Sequence, residues 1–388
     1  MTVIDLVYFD AGGGHRAAAL ALQAAIRQQQ RPWVVRLVHL MQVLDPASRF
    51  RRVTGHHPEA LYNWRLQRGW TLGLGVELRM LQRLIRASDP WLVRALVRHW
   101  SAGTRPDLVV SLVPNFNRAL GRSVAAALPG VPFVTVMTDL SDLPPHFWIE
   151  PGVDQRLVCG TELAVAQARA AGVDAHRIHR TSGMVIRPEF YRPTDESRPE
   201  ALRTLGLDPT LPTGVVMFGG YGSPQVLRVA RRLDGRQLIL MAGHNTALAS
   251  ALRRLERRAP AVVLGFTPDV QRYLRLADFF VGKPGPGALS EALQCGLPVI
   301  TFRNAWTMPQ ERYNTEWVEQ QGVGVVVDAP RDLRAAVDRV LDALPTYRAA
   351  VAAVHNRAVF ELPAILERIL RQGNDHPAAA AVDWARAA

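Results

Sequence analysis

The sequence predicts an α/β protein made of two Rossmann-like halves. Three observations carry that prediction. Residues 3–9 are an apolar, β-branched run that ends in the glycine turn Asp10-Ala-Gly-Gly-Gly-His15 and leads into a helix-forming stretch. A second strand begins near Thr213 and meets Gly219-Gly220-Tyr221-Gly222-Ser223. Between the two series lies a segment rich in Pro and charge, residues 187–212, that reads as a linker. Strands alternating with helices specify parallel sheets joined by crossover helices.

Each element follows in order. Residues 16–30 are rich in Ala, Leu and Gln at helical spacing, and 34–40 form the next strand. Residues 48–100 differ. Ten Arg stand there against Glu59, Glu77 and Asp89, with Trp64, Trp70, Trp91 and Trp100 interleaved. Strand patterns resume at 108–112, 133–137 and 155–159, with helices near 118–128 and 162–171. The first domain is expected over 1–190 and the linker over 191–212, with a short helix near 199–205. The second domain is expected over 213–371, with strands at 214–218, 237–241, 261–265, 279–281, 298–302 and 324–327. Helices fall between these strands, and others are expected at 331–343 and 346–371. The Ala-rich end, 372–388, has no clear face and is expected to be disordered.

Composition narrows the class. The chain has 388 residues, 48% hydrophobic and 21% charged, enough for two or three domains. No apolar run approaches the roughly 20 residues of a membrane span, and no signal peptide is expected at the start. Cys159 and Cys295 cannot build a disulfide framework or a cysteine-rich metal site. The expected location is cytoplasmic. Net charge is +12, and of 46 basic residues only Lys283 is lysine. A positive balance favours polyanions: nucleic acid, nucleotide phosphates or an anionic membrane.

The motifs suggest a nucleotide site. In the first turn, Gly12, Gly14 and Ala17 fit a dinucleotide fingerprint loosely, with a tight turn without a ligand as the alternative. His15, at a helix start after a first strand, faces the crevice of an open sheet, where it can deprotonate a hydroxyl or orient a phosphate. An exposed capping histidine is the alternative. The 219–223 turn is a second anion cradle, with Ser223 as cap or phosphate hydroxyl.

Gly282-Lys-Pro-Gly-Pro-Gly-Ala-Leu-Ser-Glu291 follows a strand and opens a helix. Its glycines bring amides to a ligand, and Glu291 can accept both hydroxyls of a ribose or simply offset the helix dipole. Lys283 reads as well as a solvated lysine. Gln310, Glu311 and Asn314 suit sugar hydroxyls, and ordinary helix-start polarity explains them too. Asp139 ends a strand at the same crevice edge as His15, or simply terminates that strand. The Arg/Trp stretch suits a membrane surface or a solvated basic face. It lacks any RNP, zinc-finger or helix-turn-helix pattern, so no nucleic-acid partner is expected. Metal-ligand spacings and the ATPase P-loop pattern are absent from the sequence.

Taken together, Asp10-Ala-Gly-Gly-Gly-His-Arg-Ala, Met137-Thr-Asp-Leu-Ser, Lys283-Pro-Gly-Pro-Gly with Ser290-Glu-Ala, and Pro309-Gln-Glu with Asn314 occur in one order. That set resembles the monogalactosyldiacylglycerol synthase group of glycosyltransferase family 28, over about residues 3–370. The chain departs from the group's pattern at Ser111-Leu-Val-Pro114, Pro144-Pro-His-Phe-Trp148, Ala242-Gly-His-Asn245 and Pro309.

The resemblance implies a GT-B fold, two Rossmann-like domains facing across a cleft. It implies an inverting hexosyltransferase that moves a sugar from a UDP-sugar to a lipid hydroxyl, most readily diacylglycerol. The enzyme would sit peripherally on the inner, anionic face of the cell membrane. It implies no metal and no cofactor beyond the UDP-sugar co-substrate. By motif, Gly219, Gly220, Gly222 and Ser223 would hold the diphosphate with Gly285, Gly287, Ala288, Leu289 and Ser290. Glu291 would bind the ribose. Gly265, Phe266 and Thr267 would line the uracil pocket. Gln310 and Glu311, with Asn314, would read the sugar. Gly13, Gly14, His146 and Trp148 would lie on the acceptor side, with His15 or Asp139 as base. A soluble GT-B enzyme of another type stays open: a nucleotide-sugar epimerase, a transferase with a non-lipid acceptor, or a non-catalytic nucleotide-sugar-binding protein.

Overall fold

Each run of alternating strands and helices closes into its own parallel sheet. A computed structural model describes residues 1–10, 13–46, 74–305 and 307–375. Gly12, residues 48–73 of the Arg/Trp stretch with Glu59, Trp64 and Trp70, and the tail from 376 lie outside the described residues.

The first unit opens with β1 (Thr2–Tyr8), α1 (Gly14–Gln28), β2 (Trp33–His39) and α2 (Leu40–Leu44). After the basic stretch come α3 (Leu74–Ala87), α4 (Asp89–Ala102), β3 (Leu108–Ser111), α5 (Asn117–Ala127) and β4 (Phe133–Val136). Then follow β5 (Arg156–Cys159), α6 (Glu162–Ala170) and β6 (Ile178–Arg180). The strand order is β2-β1-β3-β4-β5-β6, all parallel. Both faces are covered, which is why the strands read as continuous apolar runs rather than alternating ones.

On one face Ile4, Leu6, Val110 and Val134 pack with Leu22 and Ile26 of α1. On the other, Val7 and Val109 meet Leu92, Leu96 and Trp100 of α4 and Leu120 and Val124 of α5. The buried carboxylate of β1 is matched in register: Asp5 lies opposite Arg36. The guanidinium binds both of its carboxylate oxygens, at 2.6 and 2.8 Å. A buried carboxylate is tolerable only with such a partner.

The second unit carries α7 (Arg198–Thr204), β7 (Thr213–Met217), α8 (Gln225–Arg232), β8 (Gln237–Met241), α9 (Thr246–Arg253) and β9 (Ala261–Leu264). It continues with α10 (Val270–Arg275), β10 (Phe279–Gly282), α11 (Pro286–Gln294), β11 (Val299–Phe302), α12 (Arg312–Gln320) and β12 (Gly324–Val327). It closes with α13 (Leu333–Asp342) and α14 (Leu344–Ala353). The order β12-β11-β10-β7-β8-β9 is the doubly wound arrangement of a dinucleotide-binding sheet. Its core joins Val216, Leu238, Leu240, Phe279 and Val281 to Val226 and Val229 of α8 and Val337 and Val340 of α13.

The division of the chain differs from the expected one at two places. The second unit runs from Pro188 to Asn356, so the linker residues are part of it. Arg198, at the start of α7, bonds the Leu276 carbonyl at 3.1 Å and the Asp278 carboxylate at 2.6 Å, which docks the segment. The single helix expected at 346–371 is two helices, parted at 354–357, and the second, α15 (Ala358–Asp375), belongs to the first unit. Its apolar stripe, Leu362, Ile365, Leu366 and Ile369, is buried in the first core, and Arg31 of that unit bonds Glu367 at 2.7 Å. The 344–372 stretch is apolar enough by composition to cross a membrane, but core packing explains that composition.

Candidate functional site

In a doubly wound sheet, ligands bind beyond the carboxyl ends of the strands, where the strand order reverses. In the second unit the reversal lies between β7 and β10. The loops that leave these two strands hold most of the expected donor-side residues.

The β7 turn is built to an exact backbone shape. Gly219 and Gly222 have φ of +85° and +72°. A Cβ on Gly222 would stand 2.0 Å from the Ala242 carbonyl oxygen. Gly243, φ +55°, is equally crowded: its Cβ would stand 2.1 Å from the Gly220 carbonyl oxygen, which accepts the His244 amide at 3.0 Å. The β7 and β8 turns therefore interlock through backbone alone. Gly220 is exposed. Ser223 is buried, and its hydroxyl accepts the Gln225 amide at 3.4 Å, just ahead of Pro224, the N-cap of α8.

The β10 loop places Gly285 as the N-cap of α11, with Pro286 in the first turn, the residue best suited to a position that has no partner for an N–H. Gly287, Ala288, Ser290 and Glu291 are half-buried along the first turns. Leu289 is a correction. Its side chain lies in the core and its amide bonds Gly285 O at 3.0 Å, so it has nothing to offer an anion.

Behind the loop, Pro309–Glu311 forms a 3-10 turn that leads into α12. Glu311 is buried and accepts the Lys283 ammonium at 2.8 Å. Asn314 is fully buried, and its Nδ2 donates to the Pro284 carbonyl at 2.6 Å. Its Oδ1 and the Oε1 of Gln310 are buried without a hydrogen-bond partner. Two buried acceptors without partners, on the 3-10 turn and on the α12 helix that follows it, call for hydroxyl donors. After β9, Phe266 is 60% exposed and stacks on His244, centroids 3.9 Å apart and 16° between planes. Gly265 lies beside it, and Thr267 accepts the Asp269 amide at 3.1 Å. This exposed aromatic plate suits a planar base.

In the first unit the order reverses between β1 and β3. Gly13, φ +80°, turns the chain into α1, which begins at Gly14. His15 is thus held in the first helical turn. Its ring stacks on Phe9, centroids 4.8 Å apart, and leans on Trp148 at 5.9 Å. Its Nδ1 lies 3.0 Å from the Thr138 hydroxyl. Burial pushes its pKa from 6.5 down to about 4, against a smaller upward pull from the nearby Leu112 backbone. The ring is neutral at physiological pH and able to accept a proton.

Asp139 is buried and accepts the Trp148 indole N–H at 2.9 Å. Trp148 is fully buried and packs beside the His15 ring. Asp142 pins the surrounding loop. Its two oxygens accept the amides of His146 (2.9 Å), Trp148 (2.6 Å) and Ile149 (3.3 Å). Burial raises the Asp142 pKa while these bonds lower it. His146 sits at φ +65° in the turn that Asp142 closes. Asn117 and Gln155 both donate to the Trp148 carbonyl, at 3.1 and 3.0 Å. Cys159 and Cys295 have thiols pushed up to about 12 by burial, so neither is a nucleophile.

Three residues were absent from the expected site. Thr138 was hidden beside Asp139, and Asp142 in a Pro-rich loop. Lys283 carried a signal in the sequence, since it is the only lysine.

Residues 215–366 match the glycosyltransferase family 28 C-terminal domain. The chain is 29% identical over 346 residues to the probable monogalactosyldiacylglycerol synthase 2, chloroplastic, of Oryza sativa subsp. japonica, covering 85% of this chain and 71% of that one. It is 28% identical over 341 residues to monogalactosyldiacylglycerol synthase 1, chloroplastic, of Arabidopsis thaliana, covering 84% of this chain and 62% of that one. Among solved structures, HepE of Anabaena in complex with UDP matches with a TM-score of 0.55 at 13% identity, over 96% of this chain and 100% of that one. At that identity the likeness concerns the fold, which is GT-B, with two Rossmann-like units.

Proposed function

We propose, for a chain that is a monogalactosyldiacylglycerol synthase-like glycosyltransferase of family 28, that it moves a hexose from a UDP-sugar to a lipid hydroxyl, diacylglycerol first among them. Transfer proceeds with inversion, without a cofactor beyond the co-substrate, at the cytoplasmic face of a membrane. One observation carries the donor half of this reading. Two glycine turns, a helix start and the unsatisfied acceptors of Gln310 and Asn314 converge at the strand-order reversal of the second sheet. The UDP in the HepE structure supports the choice of nucleotide.

The chemistry follows from these residues. The acceptor oxygen attacks the anomeric carbon as the bond to the diphosphate oxygen breaks, and that electron pair leaves with UDP. Amides of the β7 and β10 turns and the positive end of α11 meet the growing charge. His15, neutral and held by Thr138, takes the acceptor's proton. A base so placed contributes roughly 10²–10⁴-fold. Glu291 takes the ribose hydroxyls, Gln310 and Glu311 the sugar, and the Phe266 plate the uracil.

Membrane attachment rests on α3. Met80, Leu81 and Leu84 are 61%, 47% and 64% exposed, on a helix that also carries Arg79, Arg83 and Arg86. Trp91, 49% exposed, follows on α4. An exposed apolar strip flanked on one side by arginine suits an anionic lipid surface.

The test is UDP release from a panel of UDP-sugars, with and without diacylglycerol in anionic liposomes. Lipid-dependent release with one sugar is expected. Release without lipid, or interconversion of the sugar with no acceptor present, would overturn the lipid-transferase reading.

A further inference from the structure

The chain holds 45 arginines and one lysine. A composition that supplies arginine at every other basic position marks the exception. Lys283 is the first residue after β10, on the loop beside the strand-order reversal. Its stem passes between the two glycine turns. A Cβ on Gly219 would stand 3.8 Å from its Cε, and a Cβ on Gly285 3.3 Å from the same atom. Its ammonium lies 2.8 Å from Glu311 Oε1, and that carboxylate is buried.

The geometry favours an ammonium over a guanidinium here. Lysine is a compact point charge with three tetrahedral donors. It can serve Glu311 and a second anion together from one atom. An arginine would lay a planar fork where the stem has glycine on both sides, and would tend to pair with Glu311 bidentately.

We propose that Lys283 is a catalytic residue of the donor site, its ammonium bridging Glu311 and the diphosphate of the bound nucleotide sugar. The assignment rests on the UDP-sugar reading above. As the bond from anomeric carbon to diphosphate oxygen breaks, the electron pair stays on UDP, and Lys283 meets that charge without transferring a proton. The acceptor's proton goes to the base in the first unit. Because the same ammonium orients Glu311, it couples the grip on the diphosphate to the reading of the sugar.

Calorimetric binding of UDP, UMP and uridine to the full chain tests this. K283M and K283R are compared with wild type, with circular dichroism to check folding. K283M should weaken UDP by roughly 10–100-fold, the range of a charge-assisted hydrogen bond, and leave uridine unchanged. K283R should stay near K283M. If K283M does not fold, K283M/E311Q removes both charges of the pair and is read on the same ligand series. Equal weakening of UDP and uridine, or a K283R that binds UDP like wild type, would overturn the assignment. A wild-type protein that binds uridine or UDP not at all overturns the donor reading, and this assignment with it.

Discussion

Thr138 Oγ1 lies 3.0 Å from His15 Nδ1, so the ring proposed above as the base is oriented by a neutral hydroxyl. A hydroxyl fixes the ring without adding charge, and burial then keeps the ring unprotonated. His15→Ala should lower kcat by roughly 10²–10⁴-fold. Thr138→Val, which keeps the shape and removes the bond, should cost about 10-fold in kcat with little change in KM, and Thr138→Ser should restore most of it. A Thr138→Val enzyme with wild-type kcat would show that the hydroxyl does not orient the base.

The acid behaviour has a defined sign. His15 and His179 both have pKa values lowered from 6.5 to about 4, His179 by burial and then by Arg368, Arg156 and His176. The unfolded chain therefore binds more protons than the folded one between pH 6.5 and 4. Stability from these rings is complete above pH 6.5 and is lost as pH falls toward 4. His179→Gln should shrink the drop in urea stability between pH 7 and 5, by less than the full shift because the ring is partly solvated. In rate measurements the His15 acid limb should lie below pH 5. A limb near 6.5 would mean that another group acts as base.

Glycine position matters more than glycine count. Gly222→Ala forces a Cβ within 2.0 Å of a carbonyl oxygen at positive φ, so it should lower Tm and weaken UDP binding at least 10-fold. Gly287→Ala has open space and an ordinary φ, and should fold like wild type. Thermal melts of the two variants separate the cases.

Asp142 anchors three amides of the loop around Trp148. Asp142→Ala leaves them unmatched in a buried loop and should destabilise by about 2–4 kcal/mol in urea unfolding. Asp142→Asn, which keeps an acceptor, should cost less than half as much.

Charge on the outer face of α3 should act on attachment rather than folding. Leu84→Glu combined with Met80→Glu should cut binding to anionic liposomes about 10-fold or more, with Tm unchanged, because both side chains are exposed. Co-flotation with vesicles reads the loss. Unchanged flotation would place the attachment elsewhere.

Much of this architecture was legible in the sequence. Parallel strands buried on both faces announce themselves as short apolar runs, and β7, β8 and β11 lie within a residue or two of their expected bounds. The glycine turns were legible because positive φ and close backbone approach leave few alternatives. What the sequence concealed was set by long-range contact. Nothing local says that the stripe of α15 packs under α1, because an apolar stripe names a face and not its partner. Leu289 reads as part of a ligand loop until the helix turns it inward. That the Trp148 side chain is buried shows only once Asp142 is seen to accept its amide. Thr138 becomes meaningful only when a residue 123 positions away arrives beside it.

The placement of α15 also sets the order in which the polypeptide can be completed during synthesis. Domains commonly mature in the order they leave the ribosome. Here the earlier sheet waits, because Leu362, Ile365, Leu366 and Ile369 emerge after the later sheet is already whole. A chain truncated at residue 356 would hold every strand of the C-terminal sheet and an N-terminal one with its apolar flank uncovered. The half that begins first finishes last, and chaperones would have most to guard in that interval.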